Sequence, residues 1–371
     1  MRFKDKLVTT LLLLIILMLI AVIGVLGFVI YKELLGDKTV ELNFLEEYSG
    51  IENKANSSKN LNNTDYSGVE KENTSSTQET TNERYRNLYD QLNKYSKVIY
   101  DQIYKHKEEL KTGTYKIEFG NTFSELLSQT NWEKILQKNY QSAIEALIYE
   151  NPELFYIDAT KMYINIEKIT KITGTKYNVY INQGNETNYL AKGFFSKEDI
   201  DASIKQLEKA RDNVLLNVAG KSDYQKIKTI HDYLVDTIEY ETTLQKNNIY
   251  NIYGALVDKT CVCEGYAKAF QYFMNELGID NAIVIGTGEN SKKEIENHAW
   301  NYVKLNGKWY AVDTTWDDPV LVGGGQITSK MKYQYFLKGS TTMNKNHTTS
   351  GQFTEGGETF TYPTLSVNDY E

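Results

Sequence analysis

An uncharged run from Leu7 to Ile30, LVTTLLLLIILMLIAVIGVLGFVI, divides this chain before any other feature does. As a helix rising about 1.5 Å per residue it would reach roughly 36 Å, enough to cross a hydrocarbon layer of about 30 Å. A cleaved signal peptide would carry a shorter apolar region and a small-x-small site, whereas this run ends VLGFVIYKE. The expectation is a single-pass anchor at 7–30. The basic leader at 1–6, MRFKDK, stays cytoplasmic by the positive-inside rule, so the rest of the chain lies outside the cell membrane. Residues 31–82 are rich in Asn, Ser, Thr, Glu and Lys and lose apolar periodicity after about Tyr48. Such a segment cannot bury enough surface to offset its ordering entropy, and it reads as a disordered tether.

Charge and cysteine usage narrow the remainder. With 41 Lys and Arg against 49 Asp and Glu, the net charge of −8 argues against a nucleic-acid partner. The two cysteines, Cys261 and Cys263, are one residue apart, so there is no disulfide framework. Cysteine and histidine positions do not form a zinc spacing, and no metal or cofactor is expected.

From Arg84 the pattern is helical, with Tyr85, Leu88, Leu92, Tyr95, Val98 and Ile99 at three-to-four spacing. A second helix is expected over 131–149, a hairpin around Gly174 within 161–182, and helices begun by Ser196 with Asp199 and by Ser222 with Gln225. The apolar stripe of that last helix, Ile227, Ile230, Leu234, Val235 and Ile238, also carries His231, read as a core histidine.

Chemistry concentrates between Tyr253 and Trp316. A loop delivers Cys263 to the start of a helix running to about Leu277, where the helix dipole and unpaired N–H groups favour a thiolate and can receive an oxyanion. Taken alone, such a cysteine is as readily a small buried hydrophobe. Downstream, Asn306-Gly307 between alternating apolar residues is a strong hairpin signal. A two-residue turn pairs Leu305 with Lys308 and sets Asp313 opposite Trp300, diagonal to His298 on one face. Diagonal neighbours are about 7–8 Å apart, within side-chain reach. Cys263, His298 and Asp313 then meet the requirements of a nucleophile, a base and an orienting acid.

At these residues the chain resembles the transglutaminase-like superfamily. The resemblance rests on Val262-Cys263-Glu264-Gly265-Tyr266-Ala267, His298-Ala299-Trp300-Asn301 and Val312-Asp313-Thr314-Thr315-Trp316, in the family's order. It covers about 220–340 and extends loosely through YQYFL to His347, which reads as structural. It implies a papain-like α+β core, a nucleophile helix packed on an antiparallel sheet, and thioester chemistry on carboxamide or peptide carbonyls. Where relatives commonly place glycine two residues before the nucleophile, this chain has Cys261. Tyr253 is a candidate second oxyanion donor or a packing residue. Trp300 and Trp316 are candidates for the cleft, and Trp309 for packing.

The expected organisation is thus anchor, tether, a small α/β module of unknown role at 83–220 and a transglutaminase-like domain at 221–371. The expected function is that of a bacterial cell-surface thiol enzyme acting on protein or peptide substrates, cell-wall peptides among them. Its Cys263 thioester would be resolved by an amine (transamidation) or by water (deamidation or proteolysis). The alternative is a catalytically vestigial surface module that binds peptide or wall material.

Overall fold

The computed structural model describes residues 38–42, 84–171, 174–318, 328–354 and 357–371. The expected anchor at 7–30 lies outside them. Among the described residues no helix is long and apolar enough to cross a membrane.

The fold mixes helices with antiparallel sheet. The N-terminal half is built on strand β1 (Lys38–Leu42), helix α1 (Lys94–Lys105), β2 (Ile117–Gly120), α2 (Trp132–Glu150), the hairpin β3 (Tyr163–Lys171) and β4 (Gly174–Asn182), and α3 (Lys197–Leu215). Its sheet runs in the order β1-β3-β4-β2. β1 corrects the tether expectation for these five positions: Lys38 to Leu42 pair antiparallel with β3, Lys38 opposite Lys168 and Leu42 opposite Ile164. An uncovered β3 edge would leave a row of unpaired backbone groups, and a short extended segment nearby satisfies them. The helix starts follow local chemistry. Asn93 accepts from the Tyr95 and Ser96 amides at the head of α1, and Ser196 accepts from Asp199 N at the head of α3.

The second half begins with α4 (Asp223–Thr237), whose Ser222 and Gln225 form the expected capping box. The two-residue strands β5 (Glu239–Tyr240) and β6 (Thr260–Cys261) pair in parallel and lead into α5 (Cys263–Glu276). Beyond it lie β7 (Asn281–Glu289), β8 (Ile295–Leu305), β9 (Lys308–Val312) and β10 (His347–Thr349), ordered β10-β7-β8-β9. Every residue of α5 from Cys263 to Met274 is buried, and the helix is tied to the sheet where Asn301 Nδ2 donates to Ala267 O at 3.0 Å.

The β8–β9 hairpin has the register that the sequence predicts, with Leu305 opposite Lys308, Val303 opposite Tyr310 and Asn301 opposite Val312. Asn306 (φ 51°) and Gly307 (φ 77°) are both left-handed, as a two-residue turn of this twist demands. Side chains of both halves, among them Leu147, Phe155, Leu234 and Phe270, belong to one continuous buried cluster.

Candidate active site

The nucleophile position is set by the backbone before it. Tyr240 pairs with Cys261, the Glu241 amide donates to Cys261 O at 3.0 Å, and the Val262 amide donates to Ile249 O at 3.0 Å. Val262 occupies the N-cap of α5 and its side chain caps nothing, so the first-turn N–H groups around Cys263 are left without a capping side chain. Cys261 is a packing residue: it is buried, and burial pushes its thiol well above the ordinary range, with Cys263 and Asp318 adding to the shift. It lies against Gly265, where a Cβ would sit 2.5 Å from Cys261 Cβ and 2.8 Å from its sulfur.

The hairpin brings His298 and Asp313 into contact, with His298 Nε2 2.7 Å from Asp313 Oδ2. Asp313 is buried and fully engaged. Its Oδ1 accepts from the Thr315 and Trp316 amides at 3.0 and 3.1 Å, and its Oδ2 also meets His347 Nε2 at 3.0 Å. Burial alone would raise the pKa of this carboxyl, but His298 and His347 hold it well below the usual range. For His298 burial works to lower the pKa. The Asp313 charge and hydrogen bond, with Cys263 nearby adding to them, overcome it and push the imidazole up to about 10. Since Asp313 occupies Nε2, Nδ1 is the nitrogen left for Cys263. The ring stacks on Trp316 (centroids 4.8 Å apart, planes 23° from parallel) and on Trp300 (5.8 Å, 25°).

Cys263, His298 and Trp316 line a cleft of about 950 Å³ together with Tyr240, Asp318 and Tyr335. Trp300 is buried beneath His298 and does not reach the cleft. Tyr253 is not part of it either. Its hydroxyl donates to Gln206 on α3 at 2.7 Å and its ring packs on Phe155 and Phe194, so of the two readings open for Tyr253 the structure supports packing. No metal centre is assigned: the ligand atoms of His298, Asp313 and His347 lie within 4.8 Å of one another, but they are spent on hydrogen bonds to each other.

Two histidines carry more than their sequence context suggested. His347 shares the carboxylate oxygen used by His298. His231 is a core residue as expected, yet it lies between two acids, with Nδ1 3.1 Å from Asp232 Oδ1 and Nε2 3.0 Å from Asp317 Oδ2. The other Asp317 oxygen accepts from Tyr335 N at 2.8 Å, and the Asp317 amide donates to Asp313 O at 3.1 Å. His231 therefore ties α4 to the turn that bears Asp313. The available signal was the acid pair Asp317-Asp318 immediately after the Trp316 motif.

Residues 215–314 match the model of the transglutaminase-like superfamily core. The human kyphoscoliosis peptidase is 27% identical over 154 residues, which are 38% of this chain and 23% of that protein. The mouse protein is 28% identical over 156 residues, 37% of this chain and 22% of its own length. The chain thus spans under a quarter of these relatives. A crystal structure of a TGase (16% identity, TM-score 0.29, 48% of this chain and 50% of that one) is also similar in part. So is the periplasmic domain of TgpA from Pseudomonas aeruginosa (13%, 0.24, 42% and 70%). Overlaps at those scores carry no mechanistic weight. Through residues 215–314 this chain is thus similar to the core of the transglutaminase-like superfamily.

Proposed function

We propose that the chain is a cell-surface thiol enzyme that forms a thioester between Cys263 and an amide carbonyl. The observation that carries this reading is the placement of His298 between an ionised Asp313 and Cys263 on the floor of a cleft. His298 takes the Cys263 proton, and Asp313 stabilises the resulting imidazolium. The thiolate attacks the carbonyl of a glutamine side chain or a peptide bond. The oxyanion that develops is received by the uncapped N–H groups at the start of α5. Collapse expels ammonia or an amine, protonated by His298, and leaves the acyl group on sulfur. A second amine or a water molecule, deprotonated by His298, then releases the acyl group.

The cleft supports an amine as acceptor. Glu241, Glu289, Glu296 and Asp318 line it against Lys293 and Lys345, and that excess of acids favours entry of a lysine side chain. Residues 7–30 would hold the enzyme in the membrane, with proteins or wall peptides outside the cell as substrates.

The test uses the full chain in mild detergent with a Cys263→Ala control. Both are incubated with a glutamine-rich protein and a labelled primary amine, and product masses are read by mass spectrometry. Incorporation lost in the control is the expected result. A mass gain of about one unit or chain cleavage, lost likewise, assigns water as the acceptor on the same route. A Cys263 that neither turns over nor alkylates with a small reagent would replace this reading with that of a binding module.

A further inference from the structure

Asp313 serves two histidines through one oxygen, and a single partner would suffice to orient His298. His298 Nε2 and His347 Nε2 both converge on Oδ2, at 2.7 and 3.0 Å. An ionised carboxylate only accepts, so each Nε2 carries its hydrogen. Asn346 Nδ2 donates to the Tyr335 hydroxyl at 2.7 Å, and Asn346 Oδ1 stands 2.9 Å from His347 Nδ1. Both Asn346 and Tyr335 line the cleft. His347 therefore sits between the carboxylate that holds His298 and two residues of the cleft wall.

We infer that His347 is a positioning residue for the reaction: its N–H draws part of the Asp313 charge away from His298 and so limits how tightly His298 holds its proton. That limit matters because one ring must both take the thiol proton and give it up to the departing amine, and an imidazole held too firmly in its charged form is a poor acid. Around His347 the titratable groups are Asp313 from the turn after β9, His298 on β8 with ring centroids 5.6 Å away, and Tyr335 at 5.1 Å. The rings of Trp300 and Trp316 also pack against it. Burial, with the His298 charge adding to it, keeps His347 below the ordinary histidine value and therefore neutral near pH 7.

The inference rests on the thiol-enzyme reading, but its test needs no substrate. Iodoacetate is an anion and alkylates a thiolate faster beside an imidazolium, so its rate falls in alkaline solution as His298 loses its proton. The variants are His347→Asn and His347→Gln in the full chain, with Cys263→Ala as the blank. Both side chains are polar amides, but only glutamine is long enough to present an N–H where Nε2 stands. Losing a hydrogen bond to a buried carboxylate moves the falling limb of His347→Asn up by about one pH unit, whereas His347→Gln keeps the limb of the unaltered chain. A limb that stays in place in His347→Asn, or that moves equally in both variants, overturns the inference and makes His347 a packing residue. An unaltered chain without any imidazolium-dependent limb takes down the thiol-enzyme reading, and this inference with it.

Discussion

Gly288→Ala is a one-carbon change that acts on the His298 ring chiefly through Trp316. Gly288 lies on β7, and a Cβ there would sit 2.5 and 2.6 Å from Trp316 Cζ2 and Cη2 and 3.6 Å from His298 Cδ2. Carbon atoms pack at about 3.5–4.0 Å, so the indole must retreat by about 1 Å or more. The methyl would push Trp316 off the face it shares with His298, where the centroids are now 4.8 Å apart. Aromatic stacking of this kind contributes about 0.5–1.5 kcal/mol and a buried cation over an indole up to about 2 kcal/mol. Since the charged ring gains more from the indole than the neutral one, losing the contact lowers the His298 pKa. One pH unit corresponds to 1.36 kcal/mol, so the expected fall is about half a unit to one unit. The iodoacetate rate of the full chain, followed from neutral to alkaline pH, should show its falling limb displaced downward by that amount. A limb unchanged in Gly288→Ala while the protein stays folded would refute the claim that Trp316 supports the charged ring.

Cys263→Ala should abolish both product formation and alkylation, whereas Cys261→Ser should keep them, because the Cys261 thiol is buried with its pKa raised; peptide mapping after iodoacetamide checks the assignment. Tyr253→Phe should leave turnover within about twofold, as its hydroxyl meets Gln206 and not the cleft. His231→Leu leaves Asp317 buried without its partner and should cost about 3–5 kcal/mol in urea unfolding; a loss under about 1 kcal/mol would contradict the anchoring role given to that pair. Glu145 is buried beside Thr354 and Glu358; burial chiefly raises its carboxyl, to about 8 from 4.5. A raised acid contributes stability that is complete below pH 4.5 and lost as pH climbs through about 8. Glu145→Gln should therefore match the unaltered protein in thermal stability at pH 5 and exceed it at pH 9.

The parts of the site that local sequence chemistry controls were legible. Asn306-Gly307 fixes a two-residue turn, the turn fixes pairing by alternation, and pairing puts His298 and Asp313 on one face. The same holds for the caps at Ser196 and Ser222, where donor and acceptor are three residues apart. What could not be read depends on segments distant in sequence. His347 reaches Asp313 only because β10 joins the far edge of β7, and no spacing rule links an isolated three-residue strand to a turn 34 positions earlier. His231 and Asp317 are 86 positions apart and meet across the packing of α4 on the 313–317 turn. The choice between the two roles open to Tyr253 is illegible for a related reason: it precedes an irregular π-type turn at Gly254–Asp258, and the direction of a side chain there cannot be taken from helix or strand periodicity. Lys38–Leu42 reads as tether because five residues offer too short a window for alternation to show, and the partner edge that recruits them lies more than a hundred residues away.

The stacking around His298 gives the molecule an optical signal of its own. Of the four tryptophans in the chain, Trp300 and Trp316 both stack on that imidazole, and an imidazolium accepts an electron from an excited indole far more readily than a neutral ring does. Intrinsic emission should therefore be quenched while His298 holds its proton and brighten as it lets go. The charge state of the proposed base could then be followed in the unlabelled protein, in real time and during turnover.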